Sequence, residues 1–268
     1  MFRKYILVYL FGIKREIVKI GYKVGIEIFR TIKLYNKLEK VIARMIIEMQ
    51  YSLIVRRLAA YRKKYHIPQT ELAKDLNITQ SQYSKIELGK VKLSYGVLNK
   101  LYEQGWDIDK IITGESSEPV LPSLENVFSE NDVKQYISSM KLCEWAMEQW
   151  ALKEQTEEKI GSKLLKAFLG AEENETPLQK LRKAFGVSQL KMAEVVGVNI
   201  KKYRALEKGE LELDAELMAN IYKETKCKPI YFMDEKKFYL SVVSEECRYG
   251  ENREKQLNDL LSIKEKFN

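Results

Sequence analysis

The chain is 268 residues long, 45% hydrophobic and 10% aromatic, enough for about two domains with real cores, and this excludes a broadly disordered protein. Its net charge of +8 is unevenly placed: +7 over 1–53, +5 over 54–114, −7 over 115–175, +4 over 176–230 and −1 over 231–268. Two basic blocks around an acidic connector suit a polyanionic partner, and suit plain solubility charge equally well.

The first 50 residues carry a long apolar stripe on a basic background: Ile13, Ile17, Ile20, Val24 and Ile28, continuing through Ile32, Tyr35, Ile42 and Met45. Helical spacing predicts an extension over 1–50 that serves as an oligomerisation helix, a membrane-surface helix or an arm along the DNA backbone. The alternative is that the native start is Met45 or Met49. No apolar run approaches the roughly 18–20 residues of a membrane span, so a membrane partner is not expected. The opening "MFRKYILVYLFGIKR" lacks a small-residue cleavage site, so export is not expected either. Cys143, Cys227 and Cys247 are odd in number and form no C-x-x-C pair. They indicate neither a disulfide framework nor a zinc site, and fit a reducing cytoplasm.

An internal repeat organises the centre of the chain. Shifted by 120 positions, Leu58 to Tyr102 aligns without a gap on Leu178 to Tyr222. The identical pairs are Leu58/Leu178, Arg62/Arg182, Lys63/Lys183, Gln69/Gln189, Ala73/Ala193, Tyr83/Tyr203, Glu87/Glu207, Gly89/Gly209, Leu93/Leu213 and Tyr102/Tyr222. Most other apolar positions stay apolar, as two copies of one core require.

In the first copy, helical periodicity runs from about Tyr51 to Lys64, and Ile67-Pro68 ends it. "QTELAKDL" reads as a short helix with Leu72, Ala73 and Leu76 inward. Asn77 permits a tight turn, Thr79 is a good N-cap for Gln80 to Leu88, and Gly89 is a good C-cap. A fourth helix follows Ser94, and a fifth covers about Asp107 to Thr113 and ends at Gly114. Two helices joined by a tight turn, the second opening with exposed polar residues, form a helix-turn-helix.

Two stretches carry a specific resemblance: "YRKKYHIPQTELAKDLNITQSQYSKIELGK" and the following "LNKLYEQGWDIDKIITG". Residues 54–114 resemble the phage-repressor type of helix-turn-helix domain, the Cro/C1 (XRE) family. Residues 176–230 resemble it more weakly through "LRKAFGVSQLKMAEVVGVNIKKYRALEKGE". The fold expected is all-α: two five-helix domains, 51–114 and 176–230, joined by an acidic linker and helical hairpin over 115–175. Helical extensions flank them at 1–50 and 231–268. The hairpin helices are expected at about 130–153 and 156–169, and an amphipathic helix over 251–268.

Reading a major groove needs side chains that reach base edges from the N-terminal part of an inserted helix. Gln80, Ser81, Ser84 and Lys85 point outward in the helical pattern, and Tyr83 and Ile86 point inward. The resemblance places base contacts at those same four positions. It also implies a phosphate contact by Gln69, at a helix N-terminus, and Thr79, Lys90 and Lys92 are placed to add others. It further implies structural salt bridges joining Arg62 to Glu87 and Arg182 to Glu207.

The second copy departs from the first. Gln189, Lys201, Lys202 and Arg204 are its candidate DNA contacts. Glu210, Glu212, Asp214 and Glu216 replace the neighbourhood of Lys90 and Lys92, where they are expected to face phosphates and oppose binding. A second DNA reader and a repurposed domain for dimerisation or partner binding therefore both stay open.

No Cys/His, Ser/His or Gly-rich phosphate motif is present, and the one histidine, His66, sits at a helix boundary. No enzyme activity, metal or cofactor is expected. The expected function is a cytoplasmic, sequence-specific regulator that binds double-stranded DNA as a homodimer and represses by occupying an operator. The competing reading is an antitoxin-like scaffold that binds a protein partner through the connector or the second domain.

Overall fold

The structure, a computed structural model, describes residues 25–117, 119–120, 163–164, 167, 169 and 174–249. Every regular element among the described residues is helical. The chain divides into two compact units, 1–52 and 53–268. The expected helix over 251–268 and the apolar positions Ile13, Ile17, Ile20 and Val24 lie outside the described residues. So does nearly all of the expected hairpin, of which only 163, 164, 167 and 169 are described.

Helix α1 spans Gly25–Lys64. In the first unit it exposes Leu34, Leu38, Val41, Met45 and Met49, while Tyr35 and Ile42 are half-buried. No helix among the described residues is long and apolar enough to cross a membrane.

The second unit begins with the last turns of α1, which bury Ile54, Val55 and Leu58. Four helices follow: α2 (Gln69–Asp75), α3 (Gln80–Glu87), α4 (Tyr95–Glu103) and α5 (Ile108–Thr113). Pro68 precedes α2 in extended backbone and brings no N–H that would need a partner. Leu72, Ala73 and Leu76 are at most 1% exposed, which fixes the inward face of α2. Asn77 turns the chain with φ 53°, a left-handed geometry that asparagine tolerates. The Asp107 carboxylate caps α5 by accepting from Lys110 N at 2.9 Å. Arg57 closes the other end, donating to the carbonyls of Ile111 at 2.7 Å and Ile112 at 2.5 Å.

The second copy of the repeat folds into the same order: α6 (Pro177–Ala184), α7 (Gln189–Val196), α8 (Ile200–Glu207) and α9 (Ala215–Thr225). Its fifth element is a single 3-10 turn, Pro229–Phe232, which opens on a proline. Gly197 (φ 80°) stands where Asn77 stands in the first copy. The Asn220 amide donates to Val196 O at 3.2 Å, as Lys100 Nζ donates to Leu76 O at 2.7 Å. In each copy, therefore, a side chain from the fourth helix satisfies a carbonyl at the end of the second.

A further helix, α10 (Glu235–Tyr249), follows the 3-10 turn, inside the extension over 231–268 expected to be helical but ahead of the amphipathic helix expected over 251–268. Asp234 accepts from Lys237 N at 2.8 Å and caps its start. Its buried Phe238 and Tyr239 meet Tyr231 edge-on at centroid distances of 5.1 and 6.2 Å.

The two copies pack directly on each other. Ala215 N donates to Leu93 O at 3.0 Å, joining the loop before α4 to the start of α9. Lys92 Nζ pairs with Glu216 at 2.8 Å and lies 4.0 Å from Asp214. The buried Asp109 on α5 accepts from the backbone N–H of Ile230 in the 3-10 turn at 2.8 Å, and also from the Ser117 hydroxyl. Tyr102 OH donates to Asp234 at 2.6 Å, and Tyr222 OH donates to Glu115 at 2.6 Å.

Candidate nucleic-acid interface

Helix α3 is held at both ends by local chemistry. Thr79 Oγ1 accepts from Gln82 N at 3.1 Å, and Gln82 Oε1 accepts from Thr79 N at 2.9 Å. This reciprocal capping box satisfies free N–H groups and commits the Gln82 side chain to the helix end. Gly89 then reverses the chain at φ 70°, a conformation that an L side chain rarely adopts.

Between these ends Tyr83 and Ile86 are 0% and 4% exposed and anchor the inner face. Gln80, Ser81 and Lys85 are exposed and Ser84 is half-exposed, and all four lie on the outer face. Lys90 is also exposed, just beyond the helix. Lys92, a candidate phosphate contact, has its ammonium paired with Glu216 across the contact between the copies.

The inner wall is organised around Glu87. Its carboxylate accepts from Arg62 Nε at 2.6 Å and Nη2 at 3.2 Å, from Gln69 Nε2 at 2.6 Å and from Tyr83 OH at 2.8 Å. Arg62 Nη1 also closes the end of α1 on Ile67 O at 2.7 Å. Burial pushes the Glu87 carboxyl up, but the hydrogen bonds from Arg62, Tyr83 and Gln69 outweigh it and leave the group below its ordinary value. The Tyr83 phenol is pushed well up by burial and by its bond to the carboxylate.

The resemblance implies a phosphate contact for Gln69. In the fold its amide nitrogen is directed at Glu87, and its oxygen lies 3.4 Å from Gln80 Nε2. A continuous polar chain thus runs from Arg62 through Glu87 and Gln69 to the tip of α3. This bracing role of Gln69 was not read from the sequence, although Arg62, Gln69, Tyr83 and Glu87 all belong to identical pairs of the repeat.

The second copy rebuilds the same brace. Arg182 Nε donates to Glu207 Oε1 at 2.5 Å, Tyr203 OH donates to the same oxygen at 3.3 Å, and Gln189 Nε2 donates to Oε2. Asn199 caps α8 by accepting from Lys202 N at 2.9 Å. The exposed tip differs: Lys201, Lys202 and Arg204 face solvent, and Arg204 Nε donates to Gln189 Oε1 at 3.2 Å.

Of the four acids expected to repel phosphate, Asp214 and Glu216 are turned to other partners, while Glu210 and Glu212 are exposed. Asp214 caps α9 by accepting from Leu217 N at 2.9 Å, and with Glu216 it faces Lys92. Burial pushes the Tyr95 phenol up, and the neighbouring Glu212 adds to the shift. Glu210 lies 3.7 Å from Lys208, with both side chains exposed.

An outward polar face at the N-terminal part of a capped helix, set by a tight turn on a second helix, is the geometry that enters a major groove. Residues 58–103, which span α2 and α3, match the family model described as helix-turn-helix. The match supports a DNA-binding helix-turn-helix of the Cro/C1 type in this segment. No curated protein and no solved structure matches the chain with significance. Among the described residues, no group of three or more His, Cys, Asp or Glu side chains is placed to hold a metal ion.

Proposed function

We propose that this protein is a cytoplasmic, sequence-specific regulator of transcription that acts by occupying an operator. Helix α3 enters the major groove, and Gln80, Ser81, Ser84 and Lys85 read base edges. Gln80 suits adenine through its paired donor and acceptor, Lys85 suits guanine, and the two serines accept several partners. Lys90 and the exposed start of α3 at Thr79 hold phosphates and set register, and Gln69 positions Gln80. Repression follows because a bound chain blocks access of polymerase to the same DNA.

The observation that carries this reading is the rigid, outward polar tip of α3 within a segment that matches a helix-turn-helix model. Selection of bound duplexes from a random pool is the test. The wild-type chain should enrich one motif. The double variant Gln80→Ala/Lys85→Ala should retain its helical content and its melting temperature but lose the part of the motif that α3 reads. Salt-sensitive retention without any enriched sequence would replace this reading with that of a protein-binding scaffold.

A further inference from the structure

The contacts between the two copies of the repeat come in related pairs. Tyr102 and Tyr222 occupy equivalent positions, and each reaches across to an acid of the other copy. Tyr102 meets Asp234, two residues past the 3-10 turn that ends at Phe232; Tyr222 meets Glu115, two residues past α5, which ends at Thr113. The same pair of elements meets itself. Asp109 is the second residue of α5 and Ile230 the second residue of the 3-10 turn, and they are bonded to each other at 2.8 Å. Lys92, in the segment before α4, also reaches across the boundary, to Glu216.

When residue i of one copy meets residue j of the other, and j meets i, the two copies are related by an approximate two-fold axis. That is the symmetry of an isologous dimer, here built within one chain. A two-fold axis also relates the two halves of a palindromic DNA site and the paired helices that read them.

We infer that one chain of this protein is an intramolecular pseudo-dimer that presents two recognition helices to a single operator made of two unlike half-sites. This inference rests on the proposed DNA-binding function. The bonds across the boundary come from α4, α5, α9 and the segments beside them, and α3 and α8 leave their outer faces exposed. Asp214 and Glu216 are engaged in the contact or in capping, while Glu210 and Glu212 stay exposed beyond α8, whose own outer face carries the exposed Lys201, Lys202 and Arg204. In the repeat, Lys201 stands at the position of Ser81 and Arg204 at that of Ser84. Both favour guanine, and Arg204 is aimed by Gln189, as Gln80 is by Gln69. Because the brace is common and the tips differ, the two half-sites share a spacing rule and differ in bases. The first block should contain adenine opposite Gln80, and the second should contain guanine opposite Arg204.

The test is selection from a random duplex pool with the full chain, followed by the same selection with tip variants. The expected result is two unlike blocks whose centres lie about 10 base pairs apart. Gln80→Ala/Lys85→Ala flattens the first block only. Lys201→Ala/Arg204→Ala flattens the second only, with about a tenfold or greater loss on a fixed two-block duplex. Circular dichroism on each variant separates lost contacts from lost fold, since these side chains are outside the core. A single block that depends on α3 alone would overturn the inference and leave the proposed function standing. Two like blocks, both lost in Gln80→Ala/Lys85→Ala, would also overturn it, because α3 from two separate chains would then be the reader. No enriched block at all would remove the proposed function first.

Discussion

Glu87 and Glu207 sit 120 residues apart and gather the same partners: an arginine, a glutamine and a tyrosine. Both carboxylates lie in the wall between the second and third helices of their copies. Beyond that wall the copies diverge. The first ends in a neutral polar tip with one lysine; the second ends in two lysines and an arginine. The first closes with a six-residue helix, the second with a four-residue 3-10 turn. A buried carboxylate tolerates little change, because each of its partners would be left stranded if another moved. A solvent-facing tip carries no such constraint and is free to differ.

The largest effects test whether the brace is equally important in both copies. Glu87→Ala strands the Arg62 guanidinium, and Glu207→Ala strands that of Arg182, so each should cost about 3–5 kcal/mol of stability. Thermal unfolding of the two variants checks this, and a large loss in only one would show that the copies are not braced alike. The Glu87 arm has a pH signature. A carboxyl held below its ordinary value of 4.5 gives its full stabilisation above that value and loses it as pH falls through the depressed one. The gap in melting temperature between wild type and Glu87→Gln should therefore be wide at neutral pH and narrow progressively as pH falls below 4.5.

Asp109→Ala comes next and tests whether the copies unfold as one body. It leaves the buried N–H of Ile230 without its acceptor, at a cost of about 1–3 kcal/mol. Calorimetry should show one transition for wild type and a broadened or split one for the variant. Thr79→Ala removes the capping box and should cost about 1 kcal/mol, with the loss confined to α3 in amide exchange. Lys92→Ala should be the mildest. Its side chain is 56% exposed, so the ion pair with Glu216 contributes on the order of 0.2–1 kcal/mol and should fade with added salt.

Much of the first copy was legible because its signals are local. Pro68, Asn77, Thr79, Gly89 and Gly114 each fix the backbone within a residue or two of themselves, and the helices begin and end there. The brace was half legible. The resemblance implies the pairing of Arg62 with Glu87, whereas nothing in the sequence hints at the partner of the neutral Gln69 except that it recurs as Gln189. The contact between the copies was not legible. Lys92, Asp214 and Glu216 read as surface charge, and only the folded chain brings them together. Helix α10 falls within an extension expected to be helical, but its place there was not legible, because Phe238, Tyr239 and Leu240 are consecutive and give no helical period, while its cap, Asp234, reads as an ordinary surface acid.

The central claim is that the first copy reads sequence from the outer face of α3. Competition binding at one fixed salt concentration tests it most directly, with the selected duplex set against a scrambled duplex of equal length. The account predicts a preference of about a thousandfold or more for the selected duplex, reduced by about tenfold or more in Gln80→Ala/Lys85→Ala while the melting temperature stays unchanged. Equal affinity of the wild-type chain for both duplexes would contradict it.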